Sequence, residues 1–360
     1  MSERSLGFAI VGCGVIAPFH ARAIADVPGA TLVTVVDEVE EQAARRGAEF
    51  GVEHTSDLAA VLRRPDVDVV CVCVPSGQHA DIGVQAARAG KHVVVEKPID
   101  ITLEASDRLI DACRAEGVKL TVISQHRYDP GVRHVRELID SGRLGRLVLG
   151  DAIIKWYRTQ QYYDSGDWRG TWRLDGGGCL MNQGVHYVDL LQWMMGPVDS
   201  VFARCETAAH RIEVEDVAIA VLKFSSGAVG VLQASTAVYP GLPERLEISG
   251  TGGTVIVEAG ELKVCELKDE KGETSAYGSK LRDSGDGKDP GTGSADPAAI
   301  SHLGHREQIA DLLAAVRTGG EPMLSGEEGR RPLEVILAVY ESARAGREVR
   351  LPLSPVRAAR

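Results

Sequence analysis

Short apolar runs alternate with helical patterns through the first third of the chain. Gly7–Val11, Thr31–Val36, Val67–Val74, Val93–Val95 and Lys119–Ser124 are apolar and mostly β-branched, which predicts buried strands. Between them, helical spacing runs from Ala17 through Ile24, onward from Glu40, near Ser56–Leu62, near His79–Ala89 and over Leu103–Glu116. Strands that alternate with helices predict an α/β fold with a doubly wound parallel sheet.

From Asp129 the pattern changes. A helix to Leu138, a strand from Leu147 to about Trp156 and a helix from about Leu180 to Met195 precede a series of short strands. These span Ser200–Thr207, Val217–Phe224, Ala228–Ala237, Glu244–Ser249, Thr254–Glu258 and Glu261–Leu267, with Ser225–Gly227, Gly252-Gly253 and Ala259-Gly260 as turns. The expectation is a second, α+β domain built on a large, mainly antiparallel open sheet. The boundary falls near residue 125, giving domains 1–124 and 125–360. Lys268–Ala299, rich in Gly, Ser, Asp and Lys, predicts a mobile loop, and two helices, from Ser301 to Val316 and from Glu327 to Ala345, close the chain.

Length supports two domains, since 360 residues exceed one small core. The net charge of 40 minus 51, or −11, argues against a broad nucleic-acid or anionic-membrane footprint. No apolar run approaches the roughly 18 residues of a membrane span, and the N-terminus lacks the pattern of a leader. Seven scattered cysteines without a Cys-x-x-Cys pair predict reduced thiols, so the expected location is cytoplasmic. One face of a broad open sheet needs covering, which predicts a homo-oligomer, dimer or tetramer.

Candidate chemistry gathers at the carboxyl ends of the predicted parallel strands, where open sheets bind ligands. Gly12-Cys-Gly14-Val15-Ile16-Ala17 follows the first strand and opens a helix, the glycine-rich turn that admits a pyrophosphate. Asp37 ends the second strand, placed to accept both hydroxyls of an adenosine ribose, and Glu38 beside it disfavours a 2′-phosphate. NAD is therefore expected over NADP, although Arg45 and Arg46 leave NADP some room. Pro75-Ser76 and Glu96-Lys97-Pro98 end two further strands on the same edge.

In the second half, Tyr162-Tyr163 to Trp168-Arg169-Gly-Thr-Trp172-Arg173 sets aromatics beside arginines, which suits a sugar or nucleotide and equally suits a packing loop. A regular helix over Leu180–Met195 puts Asn182, His186, Asp189 and Trp193 on one face and Leu180, Gly184, Val188, Leu191 and Met195 on another. A histidine there, one turn from an amide and one from a carboxylate, can exchange protons near neutral pH. His302 and His305 lack a third ligand at metal-site spacing, so no metal is expected; capping the helix or reaching the substrate are their alternatives.

The block His79-Ala-Asp-Ile-Gly-Val-Gln-Ala-Ala-Arg-Ala-Gly90-Lys-His92-Val with Glu96-Lys97-Pro98, after Gly12-x-Gly14 and Asp37, resembles the Gfo/Idh/MocA oxidoreductases, the family of glucose-fructose oxidoreductase and inositol dehydrogenase. The resemblance implies an N-terminal Rossmann domain, a C-terminal α/β domain whose open sheet often forms the oligomer interface, and a lysine at position 97 that contacts substrate and nicotinamide. It also implies that His186 is the catalytic acid/base. Asn182 stands where Asp is commoner, and the Met-Asn-Gln-Gly-x-His form resembles a bacterial subgroup that includes nucleotide-sugar dehydrogenases, in which lysine, asparagine and histidine serve together.

The expected function is thus NAD-dependent oxidation of a secondary hydroxyl of a sugar, sugar derivative or cyclitol, with Lys97, His186 and Asn182 as catalytic residues. Arg127, Trp168, Arg169 and Asp189 are expected to bind substrate. Gly12, Gly14, Val15, Ile16, Asp37, Pro75, Ser76, His79, Glu96, Lys97 and Pro98 are expected to bind the cofactor. The alternatives are an NAD-dependent glycosidase of the same fold and a non-catalytic NAD-binding sensor.

Overall fold

The computed structural model describes residues 4–268 and 301–353. Its residues divide into two compact units. One takes in the chain up to Gln125 together with Thr171–Gly176 and Ser301–Leu333; the other holds His126–Gly170, the residues from Gly177 to the end of the antiparallel strands, and those from Glu334 on. The single boundary drawn at 124/125 thus sits beside two later returns of the chain to the first unit.

In the first unit, β1 (Leu6–Val11), β2 (Ala30–Val36), β3 (Glu53–Thr55), β4 (Val69–Val72), β5 (His92–Val95) and β6 (Leu120–Val122) form one sheet in the order β3-β2-β1-β4-β5-β6. Every pairing is parallel. Helices α1 (Ala17–Ala25), α2 (Glu40–Phe50), α3 (Leu58–Leu62), α4 (His79–Arg88) and α5 (Leu103–Ala115) supply the crossovers. The central strands are wholly buried, which is why their sequences are continuous Val/Ile/Ala runs without alternation. Strand order reverses between β1 and β4, and that reversal opens the ligand crevice of such folds.

The second unit holds α6 (Pro130–Asp140), β7 (Leu147–Lys155), α7 (Gln160–Asp164), a π-helical turn (Leu180–Gly184) leading into α8 (Val185–Met195), and the strands β8 (Val198–Glu206), β9 (Val217–Phe224), β10 (Val229–Ser235), β11 (Arg245–Gly250), β12 (Gly253–Glu258) and β13 (Glu261–Leu267). Helix α9 (Leu303–Thr318) returns to the first unit, α10 (Gly326–Ala345) starts there, and β14 (Val349–Arg350) ends the described chain. The eight-stranded sheet runs β13-β12-β11-β7-β10-β9-β8-β14. All its pairings are antiparallel except β7 with β10. Alternation along β9 buries Ala218, Ala220, Leu222 and Phe224 and exposes Ile219 and Val221, so one face packs inward and the other is open.

The structure corrects one expectation. The helix at Leu180 is not regular: its first turn is π-wound, so Asn182 leaves the α-helical phase with His186 on which the four-residue polar stripe rested. Within α8, Val185–Leu191 are all buried, His186 and Asp189 included. The short elements β3, α7 and β14 carry too few apolar residues to show in the pattern. The loop expected at Lys268–Ala299 falls, apart from Lys268, outside the described residues.

Residues 301–333 cover the free edge of β6. Gln308 accepts a hydrogen bond from the Ser124 N–H at 3.1 Å and donates to the Val122 carbonyl at 2.6 Å, while the Leu324 carbonyl accepts from Val122 N–H at 3.0 Å. A polar side chain and a loop thus do the work of a seventh strand. On the other side, Ile309, Leu312 and Leu313 of α9 join Phe8, Ile10 and Ile24 in one buried apolar cluster.

Candidate active site

At the carboxyl end of β1, Gly12 has φ +100°, and a Cβ there would lie 2.4 Å from the Cys73 carbonyl oxygen, so only glycine closes this turn. A Cβ built on Gly14 meets nothing within 4 Å, which leaves the backbone open to a close-lying group. Val15 and Ile16 follow, and α1 starts at Ala17 with Pro18 in its first turn and no side-chain cap. Its first N–H groups therefore suit a phosphate.

Asp37 follows β2. Its carboxylate accepts from the Cys13 N–H at 2.8 Å and the Val39 N–H at 2.9 Å, which fixes it beside the glycine turn. It does not cap α2, whose N-cap is Val39. Arg46 donates to the Cys13 and Gly14 carbonyls and pairs with Glu49, and Arg45 donates to Gln42 at 2.6 Å. Both arginines are thus tied to the protein rather than held for a 2′-phosphate. An open glycine turn, an uncapped helix start and a fixed carboxylate together fit a dinucleotide with free ribose hydroxyls.

Pro75 and Ser76 follow β4, and Glu96, Lys97 and Pro98 follow β5, beside it in the sheet. His79 is buried, with Nδ1 at 2.8 Å from the Pro98 carbonyl and Nε2 at 2.9 Å from the Val74 carbonyl. Its ring sits between the two loops, and as a neutral imidazole it donates to one of these carbonyls. Lys97 is half-buried, and its backbone N–H donates to Glu96 Oε2 at 3.2 Å. Glu96 is itself buried, with Oε1 at 2.7 Å from His20 Nε2 and 3.5 Å from His305 Nε2. The ligand-type atoms of these three residues lie within 4.8 Å of one another. The 2.7 Å separation is that of a shared proton; two ligands on a tetrahedral zinc would stand about 3.3 Å apart. His302, at the start of α9, pairs with Asp26 at 2.7 Å.

In the second unit, His186 of α8 is buried and its ring stands edge-on to His126, centroids 4.9 Å apart. His126 Nδ1 in turn lies 2.7 Å from Asp129. Arg127 and Asp189, expected on the substrate, form a bidentate pair at 2.9 and 2.6 Å, each only 3% exposed. The Arg127 guanidinium also lies over Trp193, 5.0 Å from its ring centroid. Such a pair orders α8 against the start of the unit.

The polar aromatic stretch divides at Gly170/Thr171 between the two units. In the second, Arg158 and Arg169 both lie over the Tyr162 ring, at 5.5 and 4.5 Å, and Arg169 also over Trp168 at 4.4 Å. The Tyr162 hydroxyl accepts from Arg169 at 2.8 Å and from Gln183 at 3.1 Å, and Gln183 reaches the Asn182 side chain at 3.4 Å. Among the described residues, Arg169 has no carboxylate partner. Burial pulls the Arg158 pKa below the ordinary range, and the nearby Arg169 adds to that shift. The sequence pattern does not single out Arg158, Gln183, His126 or His20. The single signal for the first was an arginine flanked by Trp156 and Tyr157.

Comparison with known proteins settles the family. Residues 6–124 match the oxidoreductase family with the NAD-binding Rossmann fold, and residues 132–256 match the GFO/IDH/MocA C-terminal domain. The chain belongs to the Gfo/Idh/MocA oxidoreductases. The WlbA dehydrogenase of Bordetella pertussis, solved with NADH and UDP-GlcNAcA, is 34% identical over 98% of this chain and all of that one, with a TM-score of 0.84. The myo-inositol 2-dehydrogenase of Thermotoga maritima is 25% identical over 95% of this chain and 97% of its own length. The scyllo-inositol 2-dehydrogenase (NAD(+)) of Bacillus subtilis is 26% identical over 97% of each. This Gfo/Idh/MocA protein is accordingly an NAD-dependent oxidoreductase with a Rossmann domain and a mainly antiparallel second sheet.

Proposed function

We propose that the protein oxidises a secondary hydroxyl of an anionic sugar, of the UDP-GlcNAcA kind held by the WlbA dehydrogenases. The observation that carries this choice is the pair of guanidinium groups on Tyr162, next in line to Asn182 through Gln183. Arg169, with no carboxylate partner among the described residues, presents a planar fork that a charged group of the sugar can engage bidentately. A neutral cyclitol would leave Arg169 without a counter-charge.

Bound NAD supplies the acceptor for the carbinol hydrogen. Gly12, Gly14, Val15 and Ile16 would hold its pyrophosphate side and Asp37 its ribose, with Pro75, Ser76 and Pro98 lining the crevice. Lys97 would bind the reacting oxygen and stabilise the negative charge that develops on it. His186 would take the hydroxyl proton, and Asn182, which can orient a hydroxyl but not hold a proton, would aim it. Trp168 and Arg169 would grip the rest of the sugar. Arg127, Asp189, His79 and Glu96 are assigned positions behind these groups, given their burial and internal partners.

We further propose that a second copy covers the open sheet face. Phe202, Val221 and Val231 stand in one cross-strand row, with Val229 and Leu149 in the next, and Val221 is 54% exposed. A row of that kind is an association surface.

Turnover is checked by absorbance of the reduced cofactor with UDP-GlcNAcA, inositols and neutral sugars, each with NAD and NADP. Lys97→Ala should lower kcat about 10²- to 10³-fold while NAD titration changes little, consistent with loss of transition-state charge stabilisation; unchanged turnover refutes the assignment. Cleavage of an aryl glycoside with no net release of reduced cofactor would instead establish the glycosidase activity.

A further inference from the structure

Glu96 lies in a place where a carboxylate is expensive. It is 6% exposed, and the atoms that meet it come from two helices far apart in the chain: His20 of α1, fully buried, and His305 of α9, 1% exposed. The two imidazole rings meet edge-on at 5.3 Å. Replacing a buried ionic cluster by apolar side chains of similar volume is often neutral or stabilising, so stability alone gives this cluster little reason to persist. Its position does. Oε1 faces the histidines and Oε2 accepts the Lys97 N–H, so the carboxylate is the link between the buried histidines and the backbone of the lysine.

We propose that His20 and His305 are positioning residues for Lys97, acting through the Glu96 carboxylate. The clamp works on the amino side of Lys97, while His79, its ring against the Pro98 carbonyl, works on the other. Lys97 is then held at both ends, and its ammonium group has a fixed origin. Charge supports the geometry. Burial disfavours the imidazolium of His20, but the Cys73 and Cys71 sulfurs and Glu96 outweigh it, so this histidine titrates well above the ordinary range. Burial likewise opposes ionisation of Glu96, but the hydrogen bond with His20 and the adjacent His305 imidazole hold it well below the usual carboxylate range.

The proposal rests on the role given to Lys97 above, and its test separates the two. His20→Leu, His20→Gln, His305→Leu and the triple change His20→Leu/Glu96→Met/His305→Leu are compared in the full chain. His20→Leu leaves the Glu96 carboxylate buried without its closer imidazole and should lower Tm; measured well below that Tm it should lower kcat about 10- to 100-fold, the scale on which small misplacements act, with KM for NAD within about threefold. His20→Gln, which keeps a donor near the Nε2 position, should recover part of the loss. The triple variant should stay folded and lose turnover. Independently of activity, reductive methylation with a carbon-13 label gives each lysine an NMR signal, and Lys97→Met identifies the Lys97 peak. That peak should shift and broaden in His20→Leu and in the triple variant.

Full turnover in the folded triple variant, or an unmoved Lys97 peak in His20→Leu, overturns the proposal. So does a loss of kcat that vanishes at temperatures where each variant is fully folded, a loss that follows NAD affinity, or stoichiometric metal in the purified protein, which would make the cluster a ligand set. If Lys97→Met keeps turnover while the peak still moves in His20→Leu, the catalytic role of Lys97 fails and the positioning of its side chain stands.

Discussion

Arg169 is where substrate choice can be measured at the level of one side chain. Its guanidinium is stacked on two rings and bonded to a tyrosine hydroxyl, so it is aimed but not neutralised. Arg169→Gln should raise KM for UDP-GlcNAcA about 10- to 100-fold, the equivalent of one charged hydrogen bond, and leave any turnover of neutral inositols unchanged. Arg169→Lys should recover little, because a point charge cannot reproduce the planar fork that stacks on Trp168. Steady-state kinetics with both substrate classes decides it, and equal losses on both would show a packing role. Arg169 and Trp168 were legible in the sequence as neighbours. Arg158 and Gln183 were not, since they join Tyr162 only after α7 and the π-turn form. The same limit hid the partners of Glu96. A Glu-Lys-Pro at a strand end announces itself, whereas His20 and His305 lie 285 positions apart (305 − 20) and share no local pattern.

At the scale of the element, the helix that carries Asn182 and His186 depends on how it begins. Glu215 accepts hydrogen bonds from the N–H groups of Gly178 and Leu180, at 2.8 and 2.9 Å, and from the Tyr340 hydroxyl at 2.9 Å. A Cβ on Gly178 would lie 1.7 Å from the Glu215 carbonyl, so the glycine preceding the turn is there for close approach. Burial pushes the Glu215 pKa up from 4.5 to about 7, against the pull of those donors. The folded protein therefore keeps a proton that the unfolded chain releases, and this group's contribution to stability falls as pH rises from about 4.5 through about 7. Glu215→Leu should destabilise by about 1–3 kcal/mol for each donor left unpaired. In urea titrations the gap from the parent should be wider at pH 5 than at pH 8. A gap independent of pH would show that Glu215 is ionised throughout. The π-wound turn had no sequence signal, because helical periodicity reports side-chain faces and not whether the backbone bonds run i to i+4 or i+5.

At the scale of the whole molecule, the two sheets were readable from pattern alone except for their short edge strands β3 and β14. The breadth of the second sheet also foretold a face in need of covering; which residues line it, Phe202, Val221 and Val231 among them, follows from the strand register. Phe202→Glu with Val221→Glu should shift the protein to monomer in light scattering, with the far-ultraviolet circular dichroism unchanged, since both side chains point away from the packed face. Persistence of the parent mass would place the contact elsewhere.

The return of α9 to the first unit has a consequence for synthesis. A ribosome releases the glycine turn, Asp37 and Lys97 early, yet Ile309, Leu312 and Leu313, which close the cluster around Phe8 and Ile24, emerge some 200 residues later (309 − 97 = 212). Until then the nascent Rossmann sheet has an uncovered flank and the Glu96 carboxylate lacks one of its two imidazoles. On the positioning role proposed for His305, a chain cut before α9 should show weak NAD turnover even where its Rossmann strands have formed.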